Sequence, residues 1–141
     1  MKDKGQSLVE LGITFVFLMF LLGGAAEFGI ALFQYVQLRD AAQEGAIYAS
    51  ANLPLDTVSL ETWTRGASDK PINLTSDDVK VLFSVNDGEK DLSTACEGDG
   101  IEVVVEYKHR IFMPFLPQLL GSDVIMLRGR VVNTILRPVC S

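Results

Sequence analysis

The sequence has few of the side chains that enzymes use for catalysis. It contains one histidine, His109, and two cysteines. No serine stands in a Gly-x-Ser-x-Gly context, and there is no glycine-rich loop of the kind that binds phosphate. We expect His109 to lie at a strand end and to face solvent. The sequence therefore predicts a protein without a catalytic site, and we expect no cofactor and no small-molecule substrate.

Positive charge is also scarce. The chain has 12 Lys and Arg against 18 Asp and Glu, a formal net charge of -6, and nucleic-acid binders instead cluster their basic residues on one face. Two acidic stretches, 86–91 and 96–100, contain oxygen ligands of the type that calcium prefers, but their spacing does not fit an EF-hand. We expect no nucleic-acid partner, and we favour solvated turns over a metal site.

Charge is almost absent from the N-terminal part of the chain. Between residues 11 and 38 the only charged residue is Glu27, whereas the part beyond residue 50 is polar and acidic. The apolar stretch is long enough to cross a bilayer once the residues on both sides of the uncharged run 11–26 are counted. Lys2 and Lys4 precede it, and positive flanks tend to stay cytoplasmic. The sequence predicts a single-pass membrane protein with its N-terminus inside and a head outside. We favour a position of Glu27 at the outer boundary, without need of a partner; the alternative is a contact with a basic residue of another subunit in an assembled helix bundle.

The residues before the apolar stretch form a short basic leader that ends at Gly5. Glu10 is the fifth residue after this glycine, an arrangement that resembles the site cut by prepilin peptidases. Residues four apart share a face of a helix, so Glu10 would lie one turn from the new α-amino group of Gln6. The carboxylate could then neutralise that amine or the amine of a neighbouring subunit. We predict cleavage between Gly5 and Gln6.

An ordinary secretory signal peptide is the alternative for this segment. Its apolar region would be residues 11–22, and the small residues Gly24 and Ala26 would form the cleavage site. That cleavage would release a soluble head that starts near Glu27. The apolar pattern continues to residue 35, however, and would leave a conspicuously apolar mature terminus. We therefore favour a membrane anchor.

The helical pattern continues beyond the apolar stretch. Gln37 is assigned to the polar face, Gly45 weakens the helix locally, and no proline occurs before Pro54. We predict one helix from about Gln6 to Ser50. The opposite face carries an apolar stripe with spacings of three or four residues, formed by Tyr35, Leu38, Ala42, Ala46 and Ala49.

Two segments of this stem, GQSLVELGITF and EFGIALFQYVQLRDAAQEGAIYA, resemble the TadE-like family of tight-adherence pilus proteins. The resemblance covers about the first third of the chain. It marks Gly5 and Gln6 as the cleavage pair and Glu10 as the glutamate used in assembly. It also assigns a boundary motif and a packing stretch, which are Glu27, Phe28 and Gly29, and Ala41, Ala42, Glu44, Gly45 and Ala46, respectively.

The resemblance implies a structural subunit, a pseudopilin or minor pilin of a tight-adherence type IV pilus or a related secretion system, in the bacterial inner membrane. The implied partners are other pilin or pseudopilin subunits, prepilin peptidase and the inner-membrane assembly platform. A signal-anchored or secreted binding protein that acts outside a filament is the alternative. The chain divides into a leader at 1–5, a transmembrane segment at 6–33, an amphipathic continuation at 34–53 and an extracytoplasmic head at 54–141.

The head begins after Pro54. Residues 56–69 predict a short helix with Asp56 as a candidate N-cap and with Val58, Leu60 and Trp63 partly buried. Apolar alternation and apolar-rich runs then predict three strands, at 79–85, 101–107 and 124–136. We expect an α+β fold in which a small antiparallel sheet packs on the outer half of the long helix.

The segment RIFMPFLPQLLG combines two prolines with many large apolar residues. Because proline cannot donate to a strand ladder, this segment is not a regular central strand. Two interpretations stay open: a loop that covers the core, or an exposed apolar patch that contacts a partner subunit. The candidate patch consists of Phe112, Met113, Phe115 and Leu116.

Both cysteines, Cys96 and Cys140, belong to the expected head and do not form a Cys-x-x-Cys motif. In an exported domain such a pair is more often a disulfide than a metal or redox site. We therefore favour a disulfide over two free buried thiols.

If Cys96 and Cys140 are bridged, non-reducing mass spectrometry of a peptide digest should recover the linked pair. Cys140→Ser should then lower the free energy of unfolding of the head by about 2–4 kcal/mol, because the bridge closes a long loop in the unfolded chain. Free reaction of both thiols with an alkylating reagent in the folded, unreduced protein would show that the bridge is absent.

Overall fold

The computed structural model describes residues 3–52, 56–67 and 72–137. Helix α1 covers Asp3–Asn52 and is 50 residues long, which corresponds to about 75 Å at 1.5 Å per residue. The helix is continuous because no proline interrupts it. Its part Gly5–Asn52 is long and apolar enough to cross a membrane. The expectation of one unbroken N-terminal helix is confirmed.

Within its described residues, the head contains two α-helices, three strands and two short 3-10 helices, Asn86–Gly88 and Leu92–Thr94. Helix α2 is Thr57–Gly66 and helix α3 is Leu116–Leu120. The strands form one antiparallel sheet in the order β1-β2-β3, which confirms the predicted α+β class. Their bounds are Val79–Val85 for β1, Gly100–Arg110 for β2 and Val124–Thr134 for β3.

The central strand β2 shows why the sheet packs on one side only. Its residues Ile101, Val103 and Val105 are buried and form the core with α1, while the residues between them face outward, as the period of two in a strand requires. On the outer face Glu102 and Glu106 form ion pairs with arginines of β3. The sheet is thus apolar toward the helix and charged toward solvent.

Small residues let the sheet and α2 approach α1 closely. The predicted stripe is confirmed at Leu38, Ala42, Ala46 and Ala49, which are fully buried. Its first member, Tyr35, is exposed instead, because the sheet does not cover that side of the helix. Two glycines, Gly45 and Gly129, lie where the elements approach each other most closely.

Gly45 of α1 lies against Thr64 of α2, and a Cβ atom at Gly45 would overlap the Thr64 hydroxyl. On β3, a Cβ atom at Gly129 would overlap the backbone of Leu38 and Arg39 in α1. At both positions the absence of a side chain sets the distance between two elements.

Asp56 is the N-cap residue of α2, as expected, although its side chain makes no capping hydrogen bond. Two other expectations are wrong. Gln37 does not lie on a polar face: it is buried, and its amide exchanges two hydrogen bonds with the backbone of Ile72 at 2.7 and 2.8 Å. Of the three apolar residues expected to be partly buried in α2, Leu60 enters the core, whereas Val58 and Trp63 are exposed. The Trp63 ring stacks on Tyr48 at the edge of the helix pair.

Gly129→Ala should lower the free energy of unfolding of the head by about 3 kcal/mol, since the added methyl group forces β3 away from the α1 backbone. Denaturant titration of the detergent-solubilised protein, followed by Trp63 fluorescence, measures the change. Gly100→Ala is the matched control, because a Cβ atom there makes only ordinary contacts, at 3.6 Å or more. Equal midpoints for the two variants would contradict the packing described here.

Candidate functional site

The N-terminal half of α1 has almost no cover from the rest of the chain. All side chains described between residues 5 and 26 are exposed, apart from the partly covered positions Gly23 and Gly24. An apolar helix surface of this extent needs another apolar environment, either lipid or other helices.

The predicted cleavage and assembly residues lie on this uncovered part. Gly5, Gln6 and Glu10 are exposed on the first turns of α1, and the backbone carbonyl of Glu10 accepts a hydrogen bond from the Thr14 hydroxyl at 2.9 Å. No contact within the described part of the head involves these side chains. They are therefore accessible to another protein.

Glu27 interrupts the apolar surface, but it does not face lipid or solvent. Its carboxylate accepts a hydrogen bond from Nε2 of His109 at 2.8 Å. It also accepts the backbone N–H groups of Phe112, at 3.1 Å, and of Met113, at 3.1 Å. Only 8% of the residue is exposed. The expectation that Glu27 needs no partner is wrong, and its partners belong to the same chain.

His109 bridges two positions of α1. Nδ1 of its ring lies 2.6 Å from Oε1 of Gln34, opposite the Glu27 contact. Both neighbouring atoms are oxygens, so both ring nitrogens donate in the protonated imidazolium, which then forms an ion pair with the Glu27 carboxylate. If the oxygen and nitrogen of the Gln34 amide exchange places, the amide donates to Nδ1 of a neutral ring, and Nε2 still donates to Glu27. In either form the buried polar atoms are all paired.

The expectation that His109 faces solvent is also wrong, since its ring is 1% exposed. Strand β2 extends to Arg110, beyond the predicted end at Tyr107. The inward alternation that starts at Ile101 therefore continues to His109. On α1, Glu27 and Gln34 are seven residues apart, which is close to two helical turns and places them on the same face. These two spacings are sequence signals that place Glu27 and Gln34 on one helix face and His109 on the inward face of β2, but they do not show that the two faces meet.

The apolar segment after β2 packs on the stem as well. Met113 lies against Gly23, at 3.5 Å from the position that a Cβ atom would occupy. The ring centroids of Phe115 and Phe20 are 5.9 Å apart. Of the predicted partner patch, Phe112 and Phe115 are exposed, and Met113 and Leu116 are half-buried. The segment thus covers part of α1 and keeps an exposed apolar side.

The remaining predicted site residues lie elsewhere. Phe28 and Gly29 are exposed on α1, next to Glu27 but outside its hydrogen bonds. Gly45 lies in the α1–α2 contact. Cys96 is half-buried in the loop before β2, whereas Cys140 lies outside the described residues. The disulfide therefore stays a prediction.

The acidic loop before β2 is organised around Asp99. Its carboxylate accepts hydrogen bonds from the Lys90 ammonium at 2.7 Å and from the Cys96 backbone N–H at 2.9 Å. With the Asn86 amide, these groups lower the pKa of Asp99 from 3.8 to about 2, and Lys90 has the largest effect. The contribution to stability is present above the ordinary carboxyl pKa and is lost as the pH falls toward 2. Within residues 3–52, 56–67 and 72–137, no group of three His, Cys, Asp or Glu side chains is arranged to hold a metal ion.

The structure thus combines a long helix, whose N-terminal half is apolar and uncovered, with a small antiparallel head on the other half. Residues 5–46 match the family model described as TadE-like protein. This match confirms the resemblance seen in the sequence and supports a structural protein associated with a tight-adherence pilus. No curated protein and no solved structure gives a significant match.

The matched segment includes Gly5, Glu10, Glu27 and Gly45, but the partners that the head supplies to Glu27 lie outside it. The match therefore covers the stem and does not extend to the head residues that contact Glu27.

Glu27→Ala should lower the free energy of unfolding of the head by about 3–5 kcal/mol, because it leaves His109 and two backbone N–H groups buried without their acceptor. The measurement is denaturant unfolding in detergent, followed by Trp63 fluorescence. Asp40→Ala, which removes an exposed carboxylate from the same helix, should change stability by less than about 0.5 kcal/mol.

A double variant tests whether the two residues act as a pair. Glu27→Ala with His109→Ala should cost clearly less than the sum of the two single changes, since each single change already removes the shared contact. Strict additivity would show that the contact does not stabilise the head.

Proposed function

We propose that this protein is a pilin-like subunit, a pseudopilin or minor pilin, that a tight-adherence pilus or a related secretion system assembles through the N-terminal half of α1. The observation that carries the proposal is the uncovered apolar surface of residues 5–26, which lies within the matched segment 5–46. Glu10 is an accessible carboxylate at the start of this surface. A protein that used the helix only as a membrane anchor would not need a carboxylate at that position.

Glu10 supports assembly for an electrostatic reason. After cleavage behind Gly5, the new amino group of Gln6 would carry a positive charge at the membrane edge. When subunits gather, their amino groups enter a poorly hydrated helix bundle, where an unpaired charge is costly. The exposed carboxylate of Glu10, four residues along the helix, can pair with the amine of its own or of a neighbouring subunit. The charge is thus needed in the assembled state rather than in the isolated subunit.

The contacts of the head support a retained stem. A signal-peptide cut after Ala26 would remove Phe20 and Gly23, which Phe115 and Met113 contact. It would also turn Glu27 from an internal helix residue into a chain terminus beside His109. The arrangement is therefore more consistent with a head that remains attached to its apolar helix than with a released binding protein.

In this proposal, prepilin peptidase and the inner-membrane assembly platform are the processing and assembly partners, and other pilin or pseudopilin subunits cover the stem. The N-terminus faces the cytoplasm, and the head faces outward. The resemblance favours a minor or tip-like role over a shaft role, because this head is larger than that of the very short major pilins of tight-adherence systems.

Glu10→Ala should leave cleavage and membrane insertion intact but reduce the amount of the subunit in sheared filaments or crosslinked complexes several-fold, because only assembly requires the charge. Intact-mass analysis of the membrane fraction should show that both the parent and the variant begin at Gln6. Immunoblots of the sheared fraction measure incorporation.

Asp40→Ala is the control, since this exposed carboxylate lies on the same helix outside the apolar segment. Parent-like incorporation of Glu10→Ala would contradict the assembly role. A parent protein that begins at Glu27, or that stays full-length in cells with the peptidase, would contradict the processing.

A further inference from the structure

We propose that residues 111–122, here called the apolar loop, insert into the outer leaflet beside α1 and give the unassembled subunit a second membrane contact. This inference depends on the proposed function only in requiring that α1 spans the membrane. The occupant of the exposed side of the loop is then the acyl chains of the lipid.

The position of the loop along α1 places it at membrane depth. Phe115 contacts Phe20, and Met113 contacts Gly23. Phe20 is seven residues before Glu27, which is about 10 Å along the helix axis. Residues 11–26 contain no charge and are the part of α1 best suited to the hydrocarbon core. A loop that reaches Phe20 therefore extends below the level of Glu27, into the same apolar layer.

The composition of the loop fits lipid rather than water. No charged residue occurs between Arg110 and Asp123, and both of these charged residues lie at the base of the loop, where β2 ends and β3 approaches. Four of the large apolar side chains of the loop are exposed, namely Phe112 at 74%, Phe115 at 64%, Leu119 at 81% and Leu120 at 53%. Apolar side chains held below a charged base are typical of segments that lie in a membrane interface.

Several backbone donors of the loop have partners within the chain, which lowers the cost of placing them in lipid. Pro114 and Pro117 have no N–H group to satisfy. The Glu27 carboxylate accepts the N–H groups of Phe112 and Met113. Further along, the N–H of Leu119 bonds to the carbonyl of Phe115, and that of Gly121 bonds to the carbonyl of Pro117. Glu27 thus has a second role, because it pairs the donors that would otherwise face hydrocarbon.

The exposed side of the loop is continuous with the apolar surface of α1. This continuity favours lipid over a protein partner as the occupant of the loop in the single subunit. The exposed sides of Phe115 and Phe20 belong to one apolar surface, since the two rings are in contact. Whatever surrounds α1 at this depth therefore also surrounds the loop. Before assembly, that surrounding is the bilayer.

The test uses the full-length protein in liposomes, with Trp63→Phe as the background and one new tryptophan at a time. The probes in the loop are Phe115→Trp and Leu119→Trp. Leu119 is included because it is highly exposed, so that a larger side chain there disturbs no ring contact. Phe20→Trp reports the stem, and the native Trp63 reports the head. Quenching by phosphatidylcholine brominated on its acyl chains measures contact with lipid, and quenching by acrylamide measures contact with water.

We expect both loop probes to be quenched by brominated lipid at least about half as strongly as Phe20→Trp and several-fold more than Trp63, at low protein-to-lipid ratio. Loop probes that are quenched by acrylamide like Trp63 would overturn the inference. Loop probes that are shielded from both quenchers would overturn it in favour of a second copy of the chain. If Phe20→Trp itself escapes brominated lipid, the membrane stem, and with it the proposed function, fails first.

Discussion

The buried carboxylate of Glu27 holds the head to the stem, and the geometry of the rest of the molecule depends on it. A lone glutamate in an apolar helix is costly unless its charge is paired. Here His109 and the backbone of the apolar loop provide the pairing. Because the partners come from the far end of β2 and the loop that follows, the contact fixes the rotation of the head about the helix. It also fixes how far the head reaches along the stem.

Close packing is the second constraint on the head. Gly129 lets β3 touch the α1 backbone, and Gly45 lets α2 approach from another side. Between these points on α1, the buried residues Ala41 and Ala42 have no long side chains that could hold the elements apart. A small domain buries little apolar surface. The close contact between helix and sheet, which buries much of that surface, therefore contributes strongly to its stability. The head is therefore fixed to the upper half of α1 by both packing and polar contacts.

The two halves of α1 consequently have different roles. The C-terminal half is partly covered by the head, and the N-terminal half has almost no cover within the described chain. In the proposed function, lipid or other subunits cover the N-terminal half. The apolar loop lies where these two regions meet. In the unassembled subunit its exposed face and the uncovered helix form one surface. Assembly that replaces lipid around the helix would also have to accommodate the loop, so the loop would affect which subunits can lie next to this one.

By itself, the sequence determined the long helix, the three strands, the α+β class and the TadE-like stem, because these depend on local hydrophobic periods of 3.6 and 2 and on a short N-terminal motif. The alternation of β2 residues between the two faces of the sheet was predicted correctly as far as Tyr107. The prediction for His109 was wrong, because packing rather than the sequence pattern sets where a strand ends. The tertiary structure alone decided that Glu27, Gln34, His109 and the apolar loop meet. The two α1 residues are separated from His109 by 75 or more positions along the chain, and no local period relates a helix turn to the end of a distant strand.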